Sequence, residues 1–204
     1  GASGLPAKFQ TMTNVKIPPF PLTITAVAVL LTAACNNAPK ATATNALFRI
    51  APAEYATLAE QSLVYLAAKN FDAWSALLAD DVEYDFPDGD QNTRTKLKGK
   101  AAVLAWWKDY LGLPAVTSMT MSEFNHMPIE VTGEPKGEAT KGIYVISYFT
   151  NTQVINGQTV GLRMNFSTHF NSDKKIDRYV GYYDRTPIVK ALGRNLLAEG
   201  KGEK

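Results

Sequence analysis

One cysteine in 204 residues excludes an internal disulfide framework. Two histidines, with no His/Cys/Asp/Glu spacing of a known ligand set, give little from which to build a metal site. Nor does charge of one sign dominate. Twenty-one Lys and Arg stand against nineteen Asp and Glu, a formal charge of +2. The basic residues are scattered rather than interleaved with aromatics, which argues against a nucleic-acid surface. No apolar run reaches the roughly 20 residues that a bilayer-spanning helix needs. No internal repeat is present, and no cofactor is expected. What the chain does have is an ordinary globular composition, 46% hydrophobic and 20% charged.

Residues 1–52 read as separate from a folded core. Met12 reads as a natural start, which makes 1–11 an upstream or cloning remnant. Lys16 then precedes an uncharged apolar run, Leu22–Ala34, of signal-peptide length. The run ends Leu31-Thr32-Ala33-Ala34-Cys35. This resembles a bacterial lipoprotein signal, in which small residues precede a cysteine that becomes lipidated and N-terminal. It departs from the pattern at Thr32, where Leu is usual. A simple secretory peptide, or an apolar tail with a chance cysteine, is the alternative. The expected organisation is a signal-like segment over 12–35 with lipidation at Cys35, an Ala/Thr/Asn/Pro tether over 36–52, and a domain over 53–204. The expected location is the bacterial cell envelope, with Cys35 as the only membrane attachment.

From Ala53 the pattern becomes helical: Leu58, Leu63, Leu66 and Ala67 form a stripe broken at Asn70. Asp72–Ala79 reads as a short second helix, with Trp74, Leu77 and Leu78 inward. Ala79-Asp80-Asp81 reads as a turn. Val82, Tyr84 and Phe86 then alternate with Glu83 and Asp85, the signature of a half-buried strand stopped by Pro87. Residues 87–99 read as a polar loop and Lys100–Leu111 as an aromatic helix ended by Gly112 and Pro114. Strands follow: 116–131 interrupted at Pro128, 142–155, 159–170 and 176–184. Asn156-Gly157 marks a hairpin. Residues 186–197 read as a C-terminal helix with Pro187 near its start. Helices followed by an antiparallel meander make an α+β domain.

This order, with Leu77–Pro87 and the ending Ile176–Gly193, resembles the nuclear transport factor 2-like superfamily, which includes SnoaL-type polyketide cyclases and ketosteroid isomerases. The resemblance covers about residues 53–197. It implies a cone-shaped roll, in which a curved antiparallel sheet wraps three N-terminal helices and leaves an apolar pocket, with a short C-terminal helix. Isomerases of the superfamily carry a general base just before the Pro that ends the first strand. Phe86 stands there. They also carry a carboxylic acid one residue before a His-Phe pair; Thr168 precedes His169-Phe170 here. The helix-one tyrosine falls near Ser62. Steroid isomerisation is therefore not expected. The last-strand Asp of the epoxide hydrolases falls at Gly181, so that triad is missing too.

The remaining acid/base candidates are Asp184, near the pocket end of the last strand, and His126. Asp184 has a simpler reading as a helix cap, and His126, two residues before Pro128, as a loop or edge residue. Tyr84, Phe86, Trp106, Tyr110, Phe166, Thr168 and Tyr183 are the expected pocket wall, suited to a flat or greasy small molecule. Of the adjacent tryptophans, Trp106 is expected to face inward with Tyr110. The leading expectation is an exported domain that binds a small apolar ligand or a protein partner, and forms a homodimer through the outer sheet face. A cofactor-independent cyclase, dehydratase or isomerase using Asp184, and a structural module of the envelope, are the alternatives.

Overall fold

The computed structural model of the chain describes residues 47–89 and 93–199. Cys35, the signal-like segment and most of the tether lie outside them.

The first helix, α1 (Glu54–Ala67), buries Tyr55, Ala59, Ser62, Leu63 and Leu66, a stripe at helical spacing. Helix α1 ends at Ala67, and Asn70 begins the next: its side chain accepts from Ala73 N at 3.2 Å and caps α2 (Phe71–Leu77). Strand β2 (Leu78–Asp85) starts directly after α2. Asp80 and Asp81 thus belong to the strand, not to a turn. The register of β2 against its parallel neighbour shifts between Leu78 and Glu83, so the irregularity read as a turn is absorbed inside the strand. The stretch read as a polar loop contains a short strand, β3 (Lys96–Lys98), paired with β2. Helix α3 (Lys100–Gly112) buries Val103, Trp107, Tyr110 and Leu111.

Three long strands complete most of the sheet: β4 (Val116–Val131), β5 (Gly142–Ile155) and β6 (Gln158–Phe170). Pro128 does not interrupt β4. Its carbonyl points to the edge strand, accepting from Ala51 N at 3.1 Å, so its missing N–H faces that edge rather than β5. Asn156 and Gly157 both adopt positive φ, 48° and 75°, and close the β5–β6 hairpin in two residues. The last strand, β7 (Ile176–Tyr182), pairs antiparallel with β6 and parallel with β2. Residues 48–50, within the expected tether, form the edge strand β1 (Phe48–Ile50) against β4.

The seven strands run β1-β4-β5-β6-β7-β2-β3, an open curved sheet around the helices. Along β6, Val160, Leu162, Met164, Phe166, Thr168 and Phe170 are buried, while residues between them are more exposed. Trp74 is completely buried. Its Nε1–H donates to Tyr179 Oη at 3.2 Å, and its ring meets Trp107 edge-on. On the outer face, fully buried Asp85 accepts from Arg178 Nε and Nη2 at 3.1 and 2.7 Å. The β4–β5 connection folds back over that face: Glu138 holds Arg178, and Thr140 meets Tyr144 Oη. The chain ends in α4 (Thr186–Leu192) and α5 (Leu196–Glu199), not one continuous helix. Gly193, at φ 72°, is the left-handed residue that ends α4.

Candidate functional site: an aromatic cone closed by the C-terminal helices

The strand β2 delivers Tyr84 and Phe86 to the inner face, because alternate residues share a face. Helix α3 delivers Trp106, Trp107 and Tyr110. Phe166 comes from β6, and Tyr183 follows β7. These residues line one cavity, together with Met119, Met121 and Met164. The rings contact one another: Tyr84–Phe86 centroids are 4.8 Å apart, Phe86–Trp106 4.5 Å, and Trp106 stacks on Tyr110 at 5.3 Å. Each such pair contributes roughly 0.5–1.5 kcal/mol beyond its burial.

Both tryptophans of α3 reach the cavity, and Trp107 is the more deeply buried. Neighbouring helical residues diverge by about 100°, but the cone wraps around α3 far enough to receive both. The signal for Trp107 lay in the stripe Val103, Trp107, Tyr110, Leu111. Thr168 is a different case. It is buried on the inner face of β6 but lies off the cavity wall.

Three residues of α4, Ile188, Val189 and Leu192, and Leu196 of α5 complete the wall as its C-terminal cover, with Arg185 and Arg194 beside them. Asn156 Nδ2 donates to Ala191 O at 2.9 Å and ties this cover to the β5–β6 hairpin. The space left inside is about 30 Å³, room for a water or two.

Two polar residues of β5 enter this apolar wall, and sequence reading missed both. Asn151 and Gln153 are buried on the inner face, where Phe149 and Ile155 flank them. Tyr110 Oη donates to Gln153 Oε1, and Gln153 Nε2 donates to Asn151 Oδ1 at 2.7 Å. Three residues of the wall each carry a buried polar atom without a partner: Tyr84 Oη, Trp107 Nε1 and Asn151 Nδ2. Burial pushes the Tyr110 phenol up to about 12, against the opposing pull of Gln153 and Arg185. Burial likewise raises the Tyr84 and Tyr183 phenols. All three stay protonated near neutral pH.

The acid/base candidates lie elsewhere. Asp184 is exposed. Its carboxylate accepts from Thr186 N at 2.8 Å, and the hydrogen bonds from Thr186 hold it below the usual carboxylate range. It precedes Arg185, the N-cap of α4, and the cavity wall does not include it. His126 is neither in a loop nor in the cone. It lies within β4 beneath α1, with Nδ1 2.8 Å from Ser147 Oγ and Nε2 3.3 Å from Glu60 Oε2. Burial holds its pKa below the ordinary value although Glu60 opposes the shift. Ser147 is completely buried, so the Ser-His-Glu contact presents no nucleophile to a substrate. His169, on the outer face, is 2.5 Å from Asp177 Oδ1. Among the described residues, no group of three His, Cys, Asp or Glu is placed to hold a metal ion.

The profile of the SnoaL-like domain matches residues 59–179, more than half of the chain. The protein belongs to the SnoaL-like domain family. Its match spans α1 to β7 and includes most of the cavity wall, whereas α4 and α5 lie beyond it. Solved structures similar to this SnoaL-like domain include a Bacillus subtilis protein named as a candidate isomerase, at 19% identity and TM-score 0.49, over 71% of this chain and 96% of that one. RV0760c from Mycobacterium tuberculosis, in complex with estradiol-17beta-hemisuccinate, is similar at 23% identity and TM-score 0.45, over 64% and 93%. A computationally designed 17-OHP binder is similar at 22% identity and TM-score 0.46, over 64% and 92%. No curated protein matches the chain.

Proposed function

We propose that this SnoaL-like domain binds a small apolar molecule inside its aromatic cone. The observation that carries the reading is the apolar cavity walled by Tyr84, Phe86, Trp106, Trp107, Tyr110, Phe166 and Tyr183. A wall of this kind favours burial of a flat body, at roughly 25 cal/mol per Å² removed from water. It offers no general base: Phe86 fills the position before Pro87, and Asp184 accepts from Thr186 N outside the cavity. Binding without turnover is therefore the better-supported reading. The void of about 30 Å³ is too small for such a ligand, so α4 and α5 move to admit it. The test is titration with N-phenyl-1-naphthylamine, a neutral dye that brightens in apolar surroundings. Saturable one-to-one binding, weakened by Phe166→Ala, supports the reading. A linear, unsaturable signal contradicts it.

The same proposal places the domain at the bacterial envelope, on the strength of the apolar run Leu22–Ala34 ending at Cys35. Mass spectrometry of the protein from its own membranes would then show a lipidated N-terminal Cys35; an intact Leu22–Ala34 segment would refute that. A homodimer through the outer sheet face is the partner reading, supported by Tyr148 and Tyr182, which are 49% and 56% exposed there.

A further inference from the structure

Resting on the reading of the cone as a binding site, the geometry points to a ligand that carries a hydrogen-bond-accepting oxygen, a carbonyl or ether on a flat apolar body, which Trp107 Nε1 and Asn151 Nδ2 recognise. The cavity wall is overwhelmingly apolar, yet three of its residues, Tyr84, Trp107 and Asn151, each carry a buried polar atom without a partner. A buried donor left unpaired is costly, and native proteins keep few of them.

The sign of the missing partner follows from the groups themselves. An indole N–H can only donate, so Trp107 Nε1 requires an acceptor. The β5 pair gives the same answer. Tyr110 Oη donates to Gln153 Oε1, which leaves Gln153 Nε2 to donate to Asn151 Oδ1. The amide of Asn151 is thereby oriented with Nδ2 as its free donor. Tyr84 Oη, also free, can donate as well. Asn151 is 0% exposed and Trp107 6%, so neither reaches bulk solvent for its partner. Both free donors are neutral and the surroundings are apolar. A neutral acceptor oxygen is enough to satisfy these two donors, whereas the cations of the wall, Arg185 and Arg194, belong to the C-terminal cover and are not the groups left unpaired.

A matched pair of probes tests this. 2-Acetylnaphthalene carries a ketone oxygen; 2-isopropenylnaphthalene has the same outline with CH₂ in its place. Each is titrated against the protein loaded with N-phenyl-1-naphthylamine, and displacement is read by fluorescence. The wild-type protein is expected to prefer the ketone by about tenfold or more. Trp107→Phe and Asn151→Leu are each expected to bring that preference close to one, by weakening the ketone about tenfold more than the hydrocarbon. Two variants are used so that misfolding of one leaves the other. If the wild-type protein binds both probes equally, the donors are served by trapped water and the oxygen inference falls, with the binding site intact. A ketone preference that persists undiminished in the folded variants also overturns it. If neither probe nor dye binds, the cone is not a binding site and the underlying reading falls with it.

Discussion

Tyr84 shows how a single side chain can be well packed and poorly satisfied. Its ring contacts Phe86, Trp107, Phe166 and Tyr179, yet its hydroxyl is buried without a partner. Tyr84→Phe keeps the ring and removes the orphan. The free protein should then be as stable as wild type or up to ~1–2 kcal/mol more stable by thermal unfolding. A clear loss of stability would mean that the hydroxyl has a partner after all. Asp85, one residue on, behaves oppositely. It is fully buried and paired with Arg178. Asp85→Ala removes the buried carboxylate and leaves that guanidinium with Glu138 alone, and should cost about 3 kcal/mol in denaturant unfolding, the low end for a broken buried pair. The alternation of Tyr84 and Phe86 against Glu83 and Asp85 made the two faces of this strand readable from the sequence. Asn151 and Gln153 were not readable in that way. Polar residues on an apolar face look like a break in the pattern, and only the fold shows that they meet Tyr110 from another element.

Among the elements, the C-terminal pair of helices decides access. Residues 186–197 read as one helix, and Pro187 near its start was a sound signal. The break at Gly193 was missed because a lone glycine in a short helical pattern is also tolerated inside helices. Here its φ of 72° lets the chain reverse so that Leu192 and Leu196 both reach the mouth. Gly193→Ala puts a Cβ into the left-handed region at a cost of about 1–2 kcal/mol. The strain falls on the cover rather than the sheet. Amide exchange of α4 should therefore quicken several-fold while that of β5 and β6 stays unchanged; equal acceleration throughout would show that the cover and sheet unfold as one unit. The two-residue hairpin at Asn156-Gly157 was legible because only positive φ at both positions closes it. The edge strand β1 was not, because its exposed residues carry little inward pattern.

For the whole molecule, the cone was legible as an order of elements, while its state was not. The sequence pattern predicts an apolar interior but cannot say whether that interior is open or filled, since this depends on how far α4 and α5 lean in. His126 adds a global property. Burial lowers its pKa, with Glu60 the opposing group. The unfolded chain then binds the proton more readily than the folded protein. Stability from this residue is complete above the unfolded pKa of about 6.5 and is lost as pH falls below it. The thermal midpoint should drop between pH 7 and pH 5, and His126→Asn should flatten that drop. A slope unchanged by the substitution would assign it to other groups.

The central claim is that the aromatic cone admits a small molecule when its C-terminal cover moves. A crystal structure of the domain grown with 2-acetylnaphthalene tests it most directly. The account predicts the ring system between Phe86, Trp106 and Phe166, its oxygen within hydrogen-bond distance of Trp107 Nε1 or Asn151 Nδ2, and α4 and α5 displaced outward. A cone that stays closed around a water-sized void, with the ketone absent or bound only on the outer surface, would contradict it.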